Sequence, residues 1–362
     1  MSAILSLLPN FSMPPSADAT RSQQKINQII TNDKNHNDML TFNQYLERVN
    51  AAIENLPYPA QPAHLYEPIS YTMALGGKRI RPVLVLMACE AVGGDIEKAI
   101  MPAVGLEMYH NFTLLHDDVM DKADIRRGKP TVHVKWDDNT AILSGDAMLT
   151  MATQLIARAD AAVMPQVMEL FNRTAMEIYE GQQYDMDFES RGDVTVEEYI
   201  AMIRLKTSVL LGCACKMGAL IGGADEATAQ RFYEIGENLG LAFQLQDDML
   251  DVWGDEATFG KAIGGDIMNN KKTFLLINAC QRATDDNRIE LALWLNTENA
   301  SRAVKVPAVT AIYERLGLKE LSEAEIAKYN DKAMAAVFET EVAEPAKKAF
   351  IDLISRLVKR DR

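Results

Sequence analysis

The sequence predicts an all-α fold in one large domain. From Phe42 onward, apolar residues recur three and four positions apart, which is the spacing of one helix face. Nineteen methionines and only 7% aromatic residues favour helix over sheet, because straight-chain residues lose little rotamer freedom in a helix. No run of alternating strands and no Asn-Gly or Asp-Gly hairpin turn interrupts the pattern. Several segments are apolar on nearly every side, so we expect them at the centre of a helical bundle.

The first 38 residues differ in composition from the rest of the chain. Asn, Asp, Gln, Ser and Lys dominate after Ser16, which is typical of a flexible extension. The folded domain is therefore expected to be residues 39–362, and Met39 is a candidate translation start. Glycine pairs that begin at Gly76, Gly93 and Gly222 close three helical segments, as C-terminal caps do. The predicted helices contain YLERVNAAIENL, LYEPISYTMALGG, PVLVLMACEAVGG, IMPAVGLEMYHNFTLLHDDVM, AILSGDAMLTMATQLIARA, VMPQVMELFNRTAMEIYEGQQYDMDFE, VEEYIAMIRLKTSVLLGCACKMGALIGG and ATAQRFYEIGENLGLAFQLQDDMLDVWGD.

Composition and charge argue against several classes of protein. The formal charge of −14 argues against general nucleic-acid binding. No window approaches the roughly 20 apolar residues of a membrane span. The first residues, MSAILSLLPN, lack the basic region of a secretory signal. The four cysteines are Cys89, Cys213, Cys215 and Cys280. No second cysteine pair or nearby histidine completes a zinc site with Cys213 and Cys215, so we expect all four to be packed free thiols in a reducing cytoplasm.

Two aspartate triplets of identical spacing carry the predicted chemistry. Their positions are Asp117, Asp118 and Asp121 in the first copy and Asp247, Asp248 and Asp251 in the second. Each triplet ends a strongly apolar helical segment, and positions i, i+1 and i+4 share one helix face. One copy alone fits a solvated acidic helix end equally well, but two copies favour a function. Crowded carboxylates repel one another unless cations are present, and Mg²⁺ binds carboxylates together with substrate phosphates.

Basic residues suited to a polyanion surround the triplets. The stretch GGKRIRP places Lys78 and Arg81 beside a helix that is predicted to begin at Pro82, and a helix N-terminus attracts anions. Arg126 and Arg127 follow the first triplet, and guanidinium groups bind phosphate oxygens bidentately. Three lysines follow in separate later segments, namely Lys206, Lys261 and Lys271.

Taken together, these motifs resemble the all-trans isoprenyl diphosphate synthases, also called the polyprenyl synthetase family. The ordered set consists of GGKRIRP, LLHDDVMD…RRGKPT, Gly181-Gln182…Asp185, Lys206-Thr207, FQLQDDMLDVWGD and GKAIGGDI…NNKKT. The resemblance runs from about Thr41 to the C-terminus. It implies the isoprenoid synthase fold, a large single-domain helical bundle around a central cavity, usually as a homodimer. The implied activity is magnesium-dependent head-to-tail (1'-4) condensation of isopentenyl diphosphate with dimethylallyl or geranyl diphosphate, with farnesyl diphosphate as a third candidate.

The resemblance also implies a role for each candidate residue. Asp117 and Asp121, supported by Asp118, would hold two Mg²⁺ ions, and Asp247, with Asp248 and Asp251 nearby, would hold a third; Mn²⁺ can substitute. The allylic diphosphate would bind Arg126, Lys206 and Lys261. Isopentenyl diphosphate would bind Lys78, Arg81, His110 and Arg127. Thr207 and Gln244 would line the reacting centre beside Phe243, and Lys271 completes the substrate-binding set.

The residues just before the first triplet are expected to set product length. In the family resembled, this stretch walls the end of the product tunnel, which here means Tyr109, Phe112 and Thr113. A bulky aromatic residue five positions before Asp117 is typical of short-chain enzymes, so a product of 15 or 20 carbons is expected. A helical wheel turns Phe112 away from the aspartate face, so this role depends on the resemblance and requires a bent helix or a tunnel that passes around the ring.

Two other functions compete with this interpretation. Class I terpene cyclases share the bundle and one aspartate box, but their second metal motif usually contains Asn, Ser and Glu. A non-catalytic regulatory subunit of a prenyl synthase typically loses carboxylates from a box. Both triplets are complete here, and a cyclase has no use for GGKRIRP.

Overall fold

Helices make up nearly all of the regular structure in residues 39–254 and 263–358, the part of the chain that the computed structural model describes. The helices are α1 Phe42–Glu54, α2 Ala63–Ala74, α3 Ile80–Ala91, α4 Ile100–Met120, α5 Val132–Lys135, α6 Asp138–Ile156, α7 Met164–Glu189, α8 Val196–Ile203, α9 Val209–Ile221, α10 Glu226–Trp253, α11 Gly265–Met268, α12 Phe274–Arg282, α13 Asp285–Asn296, α14 Arg302–Arg315, α15 Leu318–Glu339 and α16 Glu344–Val358. The all-α prediction is confirmed. The proposed extension, residues 1–38, and Lys261 lie outside the described residues.

Glycines in the left-handed conformation follow three helices at the predicted places. Gly76 follows α2 with φ 79°, Gly93 follows α3 with φ 82°, and Gly223 follows α9 with φ 93°. The start of α3 was predicted wrongly, because the helix begins at Ile80 and not at Pro82. Proline is tolerated in the first turn, where its missing N–H has no intrahelical partner in any case.

The centre of the bundle is α9. Each of its residues from Val209 to Leu220 is buried, as expected for a segment that is apolar on nearly every side. It packs between α3 and α10. A Cβ at Gly218 would lie 2.1 Å from the Val85 carbonyl oxygen, and one at Gly236 would lie 2.2 Å from the Leu211 carbonyl oxygen. These glycines therefore bring three helix backbones into direct contact.

Two long helices carry the aspartate triplets at their C-terminal ends. The first triplet ends α4, which packs against α6, and the second ends α10, which packs against α9 and α15. At least half of the residues of each helix are buried, so the apolar approach in the sequence anchors the helix while its last turns reach the surface of a cavity. No helix among the described residues is long and apolar enough to cross a membrane.

A short antiparallel hairpin follows α4, formed by β1 Ile125–Arg126 and β2 Lys129–Pro130. Nothing in the sequence predicts it, because its turn is Arg127-Gly128 instead of Asn-Gly or Asp-Gly. Both turn residues have positive φ, 52° and 73°, which suits the twist of a two-residue hairpin. The turn points the side chains of Arg126 and Arg127 in different directions. Arg126 binds Asp118, and Arg127 binds the carbonyl oxygen of Gly76.

The four cysteines are free thiols, as predicted. Three of them are buried, but Cys280 is exposed, so the expectation of packing is wrong for that residue. It lies in the last turn of α12, after the buried stretch Phe274–Ala279.

Candidate active site

One cavity of about 1890 Å³ brings together most of the predicted site residues. Asp117 lines it from α4, and Asp247 and Asp248 line it from α10. The other predicted residues on its wall are Lys78, Arg81, His110, Phe112, Thr113, Arg126, Arg127, Lys206, Thr207, Phe243, Gln244 and Lys271. Four predicted residues do not line the cavity, namely Tyr109, Asp118, Asp121 and Asp251.

The three carboxylates of the first triplet have different surroundings. Asp117 is half-buried, and burial raises the pKa of its carboxyl group although Lys206 lies nearby. Asp118 is buried and accepts a bidentate ion pair from Arg126, whose Nε lies 2.7 Å from Oδ2 and whose Nη2 lies 2.7 Å from Oδ1. Asp121 is exposed and ends α4 as its C-cap. The triplet thus presents Asp117 to the cavity and uses Asp118 to hold Arg126.

The second triplet divides in a similar way. Asp248 is buried and accepts hydrogen bonds from the Tyr199 hydroxyl group and from Gln244 Nε2, the latter at 3.1 Å. Burial, together with the charge of Asp266, raises the pKa of Asp248 to about 8. The Asp251 carboxylate binds the backbone instead. It accepts hydrogen bonds from the N–H of Gly265 at 3.2 Å and from the N–H of Asp266 at 2.9 Å.

The donor set in the cavity fits Mg²⁺. No three His, Cys, Asp or Glu side chains in residues 39–254 and 263–358 form a ready-made metal site. Mg²⁺ needs no such cage, since it commonly binds one or two carboxylates, several waters and substrate phosphates. Asp117 and Asp247 supply carboxylates from opposite triplets to one cavity. Burial raises the pKa of Asp117 despite the charges of Lys206 and Arg126, and a bound cation would stabilise its anion further.

A π-helical turn, Arg204–Ser208, carries two of the predicted residues, Lys206 and Thr207. It fits between α7 and α10 because both helices have a glycine there. A Cβ at Gly181 would lie 2.3 Å from the Lys206 backbone nitrogen, and one at Gly240 would lie 2.5 Å from Ser208 Cα. π-Helical turns occur frequently at functional sites, where they redirect side chains.

Asp185, on α7, holds two lysines at the cavity wall. Its Oδ2 lies 2.5 Å from Lys206 Nζ and 3.7 Å from Lys271 Nζ. Burial acts to raise the pKa of Asp185, but the two ammonium groups outweigh it and lower the pKa overall. Asp185 therefore holds two ammonium groups together at this part of the wall. The motif Gly181-Gln182…Asp185 marks this residue in the sequence, although the sequence does not show which groups it contacts.

A chain of hydrogen bonds joins the π-helical turn to the second triplet. Thr207 Oγ1 donates to Gln244 Oε1 at 3.1 Å, and Gln244 Nε2 donates to Asp248 Oδ1. Tyr199 completes the chain from α8, and sequence reasoning missed it. Its signal in the sequence is weak, because a tyrosine in an amphipathic helix is ordinarily a core residue, and Tyr199 is indeed buried.

Elsewhere on the cavity wall, Arg81 and His110 form a pair. Arg81 Nη1 lies 3.1 Å from His110 Nε2. Burial and the charge of Arg81 hold the pKa of His110 well below its ordinary value, so the imidazole is neutral. Because arginine only donates, Nε2 must accept and the ring proton must reside on Nδ1. Burial and the nearby Arg127 lower the pKa of Arg81 to about 10, which still leaves it charged at neutral pH.

Arg127 reaches this wall from the hairpin and donates to the carbonyl oxygen of Gly76. Its guanidinium group lies against Gly77, where a Cβ would come within 2.8 Å of Arg127 Nη2. The glycine pair in GGKRIRP therefore ends α2 and also makes room for a cation. Lys78 follows on the same wall and is exposed.

The sequence analysis also missed Arg79, which lies between the predicted site residues Lys78 and Arg81. Arg79 is buried and forms an ion pair with Glu107, with Nη1 and Oε1 2.7 Å apart. Its Nη2 donates to the Met73 carbonyl oxygen at 2.6 Å. Removing one partner of a buried pair of this kind typically costs about 3–5 kcal/mol. Arg79 thus fastens the basic loop to α2 and α4.

Aromatic side chains close the apolar part of the cavity. The Phe112 ring lines it and packs against His116, Tyr109 and Tyr179, with ring centroids 4.7, 5.6 and 6.4 Å apart. Tyr109 lies behind Phe112 and is fully buried. On a helical wheel Phe112 and Asp117 lie on different faces of α4. Both line the cavity, so its wall extends around α4.

Comparisons with known proteins agree with this geometry. The model of the polyprenyl synthetase family matches residues 62–313. The geranylgeranyl diphosphate synthase of Methanosarcina mazei is 43% identical over 236 residues, which cover 65% of this chain and 73% of that protein. The corresponding synthase of Saccharolobus solfataricus is 39% identical over 267 residues, covering 73% of this chain and 80% of the relative. A crystal structure of a geranylgeranyl pyrophosphate synthase superposes with a TM-score of 0.84 at 44% identity, covering 90% of this chain and 100% of that one. The chain therefore belongs to the polyprenyl synthetase family, and it is a trans-prenyltransferase of the short-chain all-trans isoprenyl diphosphate synthase type.

Proposed function

We propose that this enzyme joins isopentenyl diphosphate head to tail to an allylic diphosphate and releases pyrophosphate. One observation carries the proposal: a single cavity contains carboxylates from both triplets, two groups of cations and an apolar end closed by aromatic rings. Two cationic groups suit two diphosphates, and the apolar end suits a growing hydrocarbon chain.

The allylic diphosphate is assigned to the wall formed by Lys206 and Lys271. Asp185 holds both ammonium groups there, and Arg126 lines the same cavity while bound to Asp118. Lys261 stays a prediction for this diphosphate.

Asp117, Asp121 and Asp247 would hold Mg²⁺ beside the allylic diphosphate. When bound, Mg²⁺ supplies the positive charge that stabilises the departing pyrophosphate. A set of three ions and replacement by Mn²⁺ stay predictions. We assign Asp118 and Asp251 to positioning, because Arg126 and the backbone of Gly265 and Asp266 occupy their oxygens.

Isopentenyl diphosphate is assigned to the second basic part of the cavity wall, which contains Lys78, Arg81 and Arg127. His110, being neutral and an acceptor, orients the Arg81 guanidinium group instead of binding phosphate as a cation. Glu107 raises the pKa of Arg81 against the effect of burial, so the wall remains cationic before the diphosphate arrives. Fixed cations of this kind hold the nucleophilic double bond in position without activating it chemically.

The cavity then performs two tasks during the reaction. Its basic walls hold two diphosphates close together, and its apolar walls exclude the water that would capture an allylic cation. The allylic C–O bond breaks and pyrophosphate leaves with the electron pair. The isopentenyl double bond forms the new C–C bond, and a proton leaves the resulting cation to pyrophosphate. Thr207, Gln244 and Phe243 line the same cavity and are assigned to the reacting centre.

We further propose that the product is geranylgeranyl diphosphate, with 20 carbons. The relatives from Methanosarcina mazei and Saccharolobus solfataricus are named for this product. Phe112 is assigned as the first floor residue and Tyr109 as the second, with Thr113 on the adjoining wall. A homodimer is proposed because apolar side chains of α6 and α7 are exposed, namely Ile142, Leu143, Met176 and Tyr179.

A direct assay tests the function. The purified protein is incubated with Mg²⁺, isopentenyl diphosphate and a five-, ten- or fifteen-carbon allylic diphosphate, and products are identified by mass spectrometry. We expect pyrophosphate and a linear 20-carbon diphosphate, and no turnover after chelation of Mg²⁺. Asp117→Ala is the matched negative control. Farnesyl diphosphate as the end product would correct the length, cyclic hydrocarbons would indicate a cyclase, and no turnover would indicate a regulatory subunit.

A further inference from the structure

A short segment, Gly265–Lys271, brings Lys271 to the cavity. It consists of α11 and the three residues that follow it. Lys271 lines the cavity, and its Nζ lies 3.7 Å from Asp185 Oδ2. Four helical residues make few internal hydrogen bonds, so contacts from other elements must fix the segment.

The two ends of this segment are held by oppositely charged side chains. At the N-terminal end, the Asp251 carboxylate accepts from the N–H groups of Gly265 and Asp266. At the C-terminal end, Lys305 Nζ donates to the Met268 carbonyl oxygen at 3.3 Å and to Asn270 Oδ1 at 2.8 Å. These charges match the polarity of helix ends, where anions suit the N-terminus and cations the C-terminus.

Lys305 is unusual for a lysine. Only 3% of it is exposed, and no carboxylate among the described residues lies within ion-pair distance. Lysines are almost never fully buried without a charged partner. Burial accordingly lowers the pKa of Lys305. Among the described residues, the oxygens that accept hydrogen bonds from this ammonium group belong to the segment, so Lys305 and the segment fix one another's position.

The surrounding face of α14 fits the same segment. Arg302 Nη1 donates to the Ile263 carbonyl oxygen at 2.5 Å. The Val306 side chain fills the space above Gly264, where a Cβ would lie 2.4 Å from Val306 Cγ2. Positions 302, 305 and 306 share one helix face, so α14 contacts the chain from Ile263 to Asn270 as one surface.

Asn270 connects Lys305 to the cavity. Its Oδ1 accepts from Lys305, and its Nδ2 donates to the Leu295 carbonyl oxygen at 3.0 Å, so both ends of the amide are used. The backbone of Asn270 has φ 51°, the left-handed conformation that turns the chain towards Lys271. The Lys271 N–H then donates to the Asp266 carbonyl oxygen at 2.9 Å.

We propose that Lys305 is a positioning residue for diphosphate binding: through Asn270 it fixes the turn that places Lys271 beside Asp185. This inference rests on the proposed function, since it assigns Lys271 to the allylic diphosphate. Lys305 itself contacts neither substrate nor metal. Its effect on catalysis is therefore expected to depend on the presence of Lys271.

A double-mutant cycle tests this dependence. Lys305→Met keeps the length of the side chain and removes its charge and donors, and Lys271→Met removes the cation at the cavity. We expect each single variant to raise the KM for the allylic diphosphate on the order of tenfold, with the KM for isopentenyl diphosphate unchanged within about twofold. The double variant should match Lys271→Met alone. Lys305→Arg should keep the KM for the allylic diphosphate close to the wild-type value. Lys332→Met is the matched control, because Lys332 is an exposed lysine on α15.

Two further measurements separate an effect on diphosphate binding from an effect on turnover or folding. Calorimetric titration with Mg²⁺ and inorganic pyrophosphate should show the same loss of affinity without any turnover. If Lys305→Met does not fold, Asn270→Gly breaks the link from the other side, because glycine adopts the same positive φ, and it should reproduce the phenotype.

Additive effects in the cycle, or equal increases in both KM values, would show that Lys305 only stabilises the fold and would overturn the inference. An active enzyme in which Lys271→Met leaves allylic affinity unchanged would overturn it too, while leaving the proposed function intact. Failure of the wild-type enzyme to form prenyl products would refute the proposed function instead, and the pyrophosphate titration would still decide whether Lys305 acts through Lys271.

Discussion

Replacement of Phe112 by alanine tests how the cavity limits product length. The ring is 5% exposed, and it separates the cavity from Tyr109 behind it. Truncating a buried phenylalanine destabilises a protein by about 3–5 kcal/mol. We expect the lower end of that range, because one face of the ring borders the cavity and loses few packing partners there.

The free energy gained by binding a longer product follows from the additional apolar area that its hydrocarbon chain can bury. One more isoprene unit adds five carbons, and each buried CH₂-sized group contributes about 0.8 kcal/mol. Full burial of the unit in the space left by the ring would therefore favour the longer chain by up to about 4 kcal/mol, roughly a thousandfold. We expect Phe112→Ala to extend the main product by one or more isoprene units, and Tyr109→Ala in the same background to extend it again.

The assay is product analysis by mass spectrometry with isopentenyl diphosphate and a ten-carbon starter. Phe171→Ala is a matched control, because Phe171 is 1% exposed and its ring centroid lies 5.1 Å from that of Tyr109, but it does not line the cavity. It should lose comparable stability and keep the wild-type product. If Phe112→Ala is folded and active and its product distribution is unchanged, another residue closes the tunnel.

Three further predictions concern the polar side of the cavity. Asp247→Asn should lower turnover by roughly a thousandfold or more, whereas Asp251→Asn should mainly lower the melting temperature, because its carboxylate binds backbone N–H groups; equal losses of turnover would refute this division. Arg81→Ala should raise the KM for isopentenyl diphosphate at least about tenfold more than that for the allylic diphosphate, and equal effects in steady-state kinetics would mean that the two walls are exchanged. Gly181→Ala should reduce activity and stability, because its Cβ would lie 2.3 Å from the π-helical backbone, while Gly192→Ala, which has open space, should be neutral in activity and thermal unfolding.

The sequence predicts the fold class and much of the cavity wall because those features depend on local patterns. Apolar spacing predicts the helices, and the complete burial of α9 follows from a segment without a polar face. Two triplets of identical spacing together with GGKRIRP favour a function over a solvated surface, although each motif alone does not. Asp117, Asp247 and Arg81 were therefore identified from the chain alone, and all three line the cavity.

Other features depend on contacts between distant segments, which local patterns do not contain. Tyr199 pairs with Asp248 across 49 positions, and Arg79 pairs with Glu107 across 28. The π-helical turn arises because Gly181 and Gly240 allow two helices to approach it, although each glycine alone resembles an ordinary weak point in a helix.

The aspartate triplets show most clearly how three-dimensional surroundings separate residues that are identical in sequence. Asp117 of the first triplet and Asp247 and Asp248 of the second line the cavity, while Asp118 binds Arg126 and Asp251 binds backbone N–H groups inside the protein. Three free carboxylates on one helix face would repel one another, and each internal partner stabilises one of the anions against that repulsion. The helix spacing that makes the triplet acidic thus also directs some of its members inward. In this chain each DDxxD motif therefore combines a carboxylate at the cavity with a carboxylate that is bound inside the protein.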